Sequence, residues 1–81
     1  MTLDMLKAGQ SAVVKKINNV NSERRRLLDL GILPGTHIEN IMFSPLGDPI
    51  AYRIRRATVA LRKEQAQLIE IQEIDFQSQE A

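Results

Sequence analysis

The sequence predicts a small all-β domain, a partly open barrel of about five short strands carrying one or two brief helices. Three observations point there. Gly9, Gly31, Pro34-Gly35 and the Pro45 to Pro49 stretch punctuate short apolar segments, as turns do in small β folds. Ile50, Tyr52 and Ile54 alternate with Ala51, Arg53 and Arg55, the period of two expected of a half-buried strand. The 81 residues, 43% hydrophobic and 26% charged, match a folded domain with a single core. A chain this short buries only about 60–65% of the surface it exposes when unfolded, which leaves little room for a deep cleft beside the core.

Taken in order, Thr2 is placed to cap a helical turn through Leu3 and Leu6 that Gly9 ends. The β-rich run Ser11 to Ile17 forms the first strand. Asn18-Asn19 and Asn21-Ser22 give a turn and a helix N-cap signal, and the helix that follows over ERRRLLDL stops at Gly31, with Pro34 just beyond. Ile32 to Gly35 suits a type II turn, since Pro presets φ and Gly accepts a positive φ. His37 to Phe43 is the second strand, the turn-rich loop from Ser44 to Pro49 leads into Ile50 to Ile54, and Thr58 to Leu61 is the fourth strand. One helical turn over Arg62 to Ala66 precedes a last strand over Leu68 to Ile74, with Ile69 and Ile71 inward. The domain is therefore bounded at residues 1–75, and residues 76–81 form a polar tail. The expected core is Val13 or Val14 with Ile17, Leu27, Leu30, Ile38, Ile50, Ile54, Leu61 and Ile69. The architecture is a small barrel of the SH3 or OB type.

The composition excludes several chemistries. With no cysteine and one histidine, His37, the chain offers no thiolate, disulfide framework or His-rich metal site. No phosphate-loop, nucleophile-elbow or HExxH pattern occurs. Glu39, Asp48 and His37 are the residues through which a metal ion could be handled directly, but their spacing is not that of a ligand set, so no metal, cofactor or catalytic residue is assigned. The N-terminus lacks a basic stretch followed by an apolar one, and no apolar run approaches the ~20 residues that cross a bilayer. A cytoplasmic protein without membrane insertion is expected.

The formal net charge of +1 is no nucleic-acid footprint by itself. Arg24, Arg25 and Arg26 are expected in the first turn of the helix and Asp29 in its last, opposite to what the macrodipole favours. A solvated face, with Arg25 paired to Asp29 at i, i+4, is one explanation; a docking surface for an acidic partner is the other. Arg53, Arg55, Arg56, Arg62 and Lys63 form a second basic cluster. Nucleic acid is the less favoured ligand, because aromatic stacking residues are scarce. Pro45, Leu46 and Pro49 place an apolar tip on the loop beside Asp48, which is expected to bond its own backbone. The candidate partner-binding residues are Arg24, Arg25, Arg26, Pro45, Leu46, Asp48, Arg55 and Arg56, and weak self-association is left open.

The residues Arg26-Leu27-Leu28-Asp29-Leu30-Gly31-Ile32-Leu33-Pro34-Gly35, then Pro45-Leu46-Gly47-Asp48-Pro49-Ile50, Val59-Ala60-Leu61-Arg62, Ala66 and Ile69-Glu70-Ile71 resemble the ferrous iron transport protein A (FeoA) family. The resemblance runs from about Leu3 to Ile74, and Arg55-Arg56 stands where many family members carry a glycine turn. It implies an SH3-like barrel and a small non-enzymatic accessory of ferrous iron uptake, whose partner is the cytoplasmic region of the GTPase-bearing permease FeoB. A similar domain at the C-terminus of iron-dependent repressors keeps a transition metal or nucleic acid as the alternative ligand.

Overall fold

The computed structural model describes residues 1–43, 45, 47–55 and 57–74, with Phe43 described by its backbone only. A single 3₁₀ turn, Leu3–Met5, precedes β1 (Ser11–Ile17). Helix α1 (Asn21–Asp29) follows, then β2 (His37–Phe43), β3 (Ile50–Ile54), β4 (Ala57–Leu61), the short α2 (Lys63–Ala66) and β5 (Ile69–Ile74). The strands form one five-stranded antiparallel sheet in the order β4-β3-β2-β1-β5. The sheet is curled but not closed, since β4 and β5 are opposite edges joined through α2. The outer side of β5 is partly covered by the N-terminal segment, where the Ile71 amide donates to the Met1 carbonyl at 2.8 Å and Thr2 bridges Glu70.

Alternation puts every second side chain of each strand inside the curl. Ala12, Val14, Ile38, Ile50, Tyr52, Ile54, Leu61, Ile69 and Ile71 fill it from the strands, Leu27 from α1 and Leu3 and Leu6 from the N-terminal turn. Leu30, expected in this core, is only half-buried. The reason is the way α1 ends: the Gly31 amide donates to Leu28 and the Ile32 amide to Leu27, both at 3.0 Å, a Schellman motif with Gly31 at φ +95°. That closure carries Ile32, rather than Leu30, into the core beside Leu27.

The turn after it lies one residue later than expected. The Thr36 amide donates to the Leu33 carbonyl at 2.9 Å, so Pro34 and Gly35 (φ +93°) occupy the central positions. The Thr36 hydroxyl fixes this corner, accepting from the Leu33 amide and donating to the Gly31 carbonyl, each at 3.2 Å.

Buried polar groups tie the N-terminal segment to β2. Asn40 receives the Gly9 amide at 2.7 Å on its carbonyl, donates its own amide to Gln10 at 3.0 Å and sends its side-chain Nδ2 to the Leu6 carbonyl at 2.8 Å. Tyr52, fully buried, directs its hydroxyl to the Leu3 carbonyl at 3.3 Å. Burial, with a smaller contribution from the negative charge of Asp4, pushes the Tyr52 phenol well above its ordinary value of 10.0.

Candidate functional site

The outer face of the sheet carries one row of residues in register across neighbouring strands: Ile74 opposite Ser11, Ser11 opposite Glu39, Glu39 opposite Arg53, and Arg53 opposite Thr58. Over this row lies an open groove of about 240 Å³ lined by Ser11, His37, Ile38, Glu39, Arg53 and Arg55. Its ion pair among the described residues is loose, an exposed Arg53 to a half-buried Glu39 at 3.9 Å, and contributes little. Among the described residues the side chains of Ser11, His37 and Arg55 have no hydrogen-bond or ionic partner. Arg55 adopts φ +56° at the turn between β3 and β4, an uncommon conformation for a residue with a Cβ.

The second basic cluster expected from the sequence is not one cluster. Arg53 and Arg55 stand at the end of the β3–β4 hairpin where Ile54 pairs with Ala57, whereas Arg62 and Lys63 lie past its other end, where Ile50 pairs with Leu61. Arg56, the remaining member, and Leu46, the expected loop tip, lie outside the described residues, whereas Pro45 is exposed.

Asp48 Oδ1 accepts the Lys63 amide at 2.8 Å. It therefore caps the first turn of α2 from the β2–β3 loop, and the Gln65 side chain accepts the Arg62 amide at 3.0 Å at the same helix start. Glu39, Asp48 and His37 are accordingly divided: His37 and Glu39 share the groove, while Asp48 belongs to the start of α2. No cluster of at least three His, Cys, Asp or Glu side chains suited to a metal occurs among the described residues.

The helix arginines also differ from expectation. Because α1 begins at Asn21, Arg24 and Arg25 sit mid-helix and Arg26 falls in the last turn, where a cation suits the macrodipole; Glu23 occupies the first turn. Arg24 donates from its guanidinium to the Ile17 carbonyl at 2.7 Å and so closes the end of β1. Arg25 and Arg26 are exposed, and the expected Arg25–Asp29 pair does not form. The N-cap is Val20 rather than Asn21 or Ser22. Asn19, buried, reaches from before the helix to the Glu23 carboxylate at 3.1 Å and the Gln65 carbonyl at 3.2 Å, linking α1 to α2.

Ser11 is the groove residue that sequence reasoning missed. A lone Ser at the head of a strand carries no motif, and only the strand register sets it opposite Glu39.

An open five-stranded β domain with a charged groove on its outer face, and no helix among its described residues long and apolar enough to cross a membrane, has the form of a small SH3-like module. The chain belongs to the FeoA family, whose domain model matches residues 1–73. It is 36% identical over 72 residues to a fusion of Fe(2+) transport protein A with the Fe(2+) transporter FeoB from Porphyromonas gingivalis, a match covering 89% of this chain and 8% of that protein. The solution structure of FeoA from Chlorobium tepidum superposes with a TM-score of 0.88 at 35% identity, over 93% of this chain and 71% of that one. Stenotrophomonas maltophilia FeoA, crystallised with zinc and described as a prokaryotic SH3 domain protein, aligns at a TM-score of 0.78 and 28% identity over 88% of each chain.

Proposed function

We propose that this protein is a cytoplasmic accessory of ferrous iron uptake that docks on the cytoplasmic, GTPase-bearing region of the permease FeoB and biases its transport cycle. The observation that carries the reading is the Porphyromonas gingivalis relative, in which an FeoA unit and the transporter are one polypeptide. Covalent joining of two proteins that otherwise work side by side keeps them at high effective concentration, which is useful only if they act on each other. The description of the Stenotrophomonas maltophilia protein as a candidate activating factor for ferrous iron transport points the same way.

An accessory can shift the transporter only by binding one of its states more tightly than another. The exposed surfaces that qualify are Arg25 and Arg26 on α1, Pro45 on the β2–β3 loop, and the outer-face groove with Arg55. Arg24 is tied to Ile17, and Asp48 holds the start of α2, so both serve the scaffold beneath those surfaces.

The test is calorimetric titration of the protein into the GTPase-bearing region of its cognate permease, with GDP and with a non-hydrolysable GTP analogue. Binding whose affinity differs between the two nucleotides is expected. Equal affinity in both would reduce the role to tethering, and absence of binding to the complete transporter in detergent would remove FeoB as the partner.

A further inference from the structure

The groove on the outer face combines features that a merely solvated strand surface does not need. Two guanidiniums, Arg53 and Arg55, and the His37 imidazole line it together with the Ser11 hydroxyl, against a single carboxylate, Glu39. Glu39 holds Arg53 only loosely, at 3.9 Å, so most guanidinium donors facing the groove are unused among the described residues. Arg55, at φ +56°, takes the first central position of the two-residue turn between Ile54 and Ala57, which presents its side chain at the end of the hairpin beside Arg53.

We propose that this groove is a docking site for an acidic segment of the protein partner, whose side-chain carboxylates are received by the forked guanidiniums of Arg53 and Arg55, with Ser11 and His37 as further polar contacts. The inference rests on the reading of the protein as a docking module and specifies the chemistry of what it docks.

Charge complementarity selects this occupant. Planar guanidiniums match carboxylates in bidentate geometry. The groove donors sit on β1, β2, β3 and the turn after β3, and at about 4.8 Å between neighbouring strands they spread over about 10 Å. A run of carboxylates reaches donors so spaced, whereas one inorganic anion meets only part of them. The two arginines oppose a divalent cation at His37 and Glu39. Among the described residues no Phe, Tyr or Trp lines the groove, so it lacks the broad stacking platform that single-stranded nucleic acid uses.

The experiment is a titration of the isotope-labelled full chain, followed by nuclear magnetic resonance, with a hexaglutamate peptide, inorganic phosphate and oligothymidine as separate probes. Hexaglutamate is expected to shift the resonances of Ser11, His37, Glu39, Arg53 and Arg55, and the R53Q/R55Q double variant is expected to bind it about tenfold more weakly with an otherwise unchanged spectrum. Shifts centred on Arg25 and Arg26, an undiminished response in the double variant, or tighter binding of phosphate or oligothymidine at the same residues would each overturn the inference. The R53Q/R55Q variant is then titrated against the permease region. About tenfold weaker binding than the parent supports the groove, and equal binding overturns it while leaving the partnership with FeoB standing. If the parent binds neither that region nor the complete transporter in detergent, the partnership has failed, and the hexaglutamate titration alone decides the chemistry of the groove.

Discussion

Arg55 holds its backbone at φ +56°, where a Cβ costs roughly 1–2 kcal/mol relative to ordinary regions. Replacing it with glycine removes that strain but adds flexibility to the unfolded chain, so Arg55→Gly is expected to stabilise the fold by about 0.5–1 kcal/mol, raising Tm by a few degrees in a thermal melt. The same change deletes a groove guanidinium, so stability and acidic-peptide binding should move in opposite directions, as they do where strain serves a site. Tyr52 gives a second prediction. Its phenol is neutral in the fold and titrates higher than in the unfolded chain, so its contribution is complete below pH 10.0 and is lost as pH rises beyond that value. Stability should fall by up to about 1.4 kcal/mol per pH unit over that alkaline range. Tyr52→Phe should flatten this slope in denaturant melts at pH 9 and 11, while costing about 1 kcal/mol at neutral pH for the hydrogen bond to Leu3. Asn40 was not named as a core residue, although alternation from Ile38 puts it on the inward face, because asparagine is a polar side chain that is mostly exposed. Its side chain satisfies the buried Leu6 carbonyl, and Asn40→Ala should cost about 1–3 kcal/mol in chemical denaturation.

Among the elements, the strands were the most legible. The alternation of Ile50, Tyr52 and Ile54, and that of Ile69 and Ile71, fixed which face is buried, and both patterns stand in the structure with strand ends within a residue of expectation. Helix α1 was legible in position but not in detail. Its stop at Gly31 followed from the left-handed conformation glycine allows, yet the choice of Ile32 over Leu30 for the core depends on the path after that glycine, which local pattern does not encode. The basic groove was half legible: the alternation put Arg53 and Arg55 on one face, but Ser11, His37 and Glu39 join them only through pairing between strands far apart in sequence. Strand β4 carries a separate prediction. It is an edge, paired with β3 on one side, and its sequence ATVAL has neither charge nor proline to guard the other. Its outward-facing amides should exchange with solvent about tenfold or more faster than those of β1 and β2, measured by hydrogen exchange in dilute solution. Protection that grows with protein concentration would instead show a second copy pairing along this edge.

At the scale of the whole molecule, one core is shared by the N-terminal turn, α1 and all five strands, so no part has an independent interior. Unfolding should therefore be a single two-state transition, with the fluorescence of the lone tyrosine and far-ultraviolet circular dichroism giving coincident curves. The fold class, a barrel left partly open, was recoverable from turn residues and alternation, whereas the identity of the edge strands β4 and β5 was not, since strand order depends on pairing between distant segments rather than on any one strand. The row across the outer face has a further consequence. Ile74, the last residue of β5, stands opposite Ser11, one strand away from Glu39, so the chain leaves the sheet at the rim of the groove. A domain tethered beyond β5 would be delivered to that rim by the shortest possible leash, and a short acidic linker could occupy the groove in cis before any partner arrived in trans.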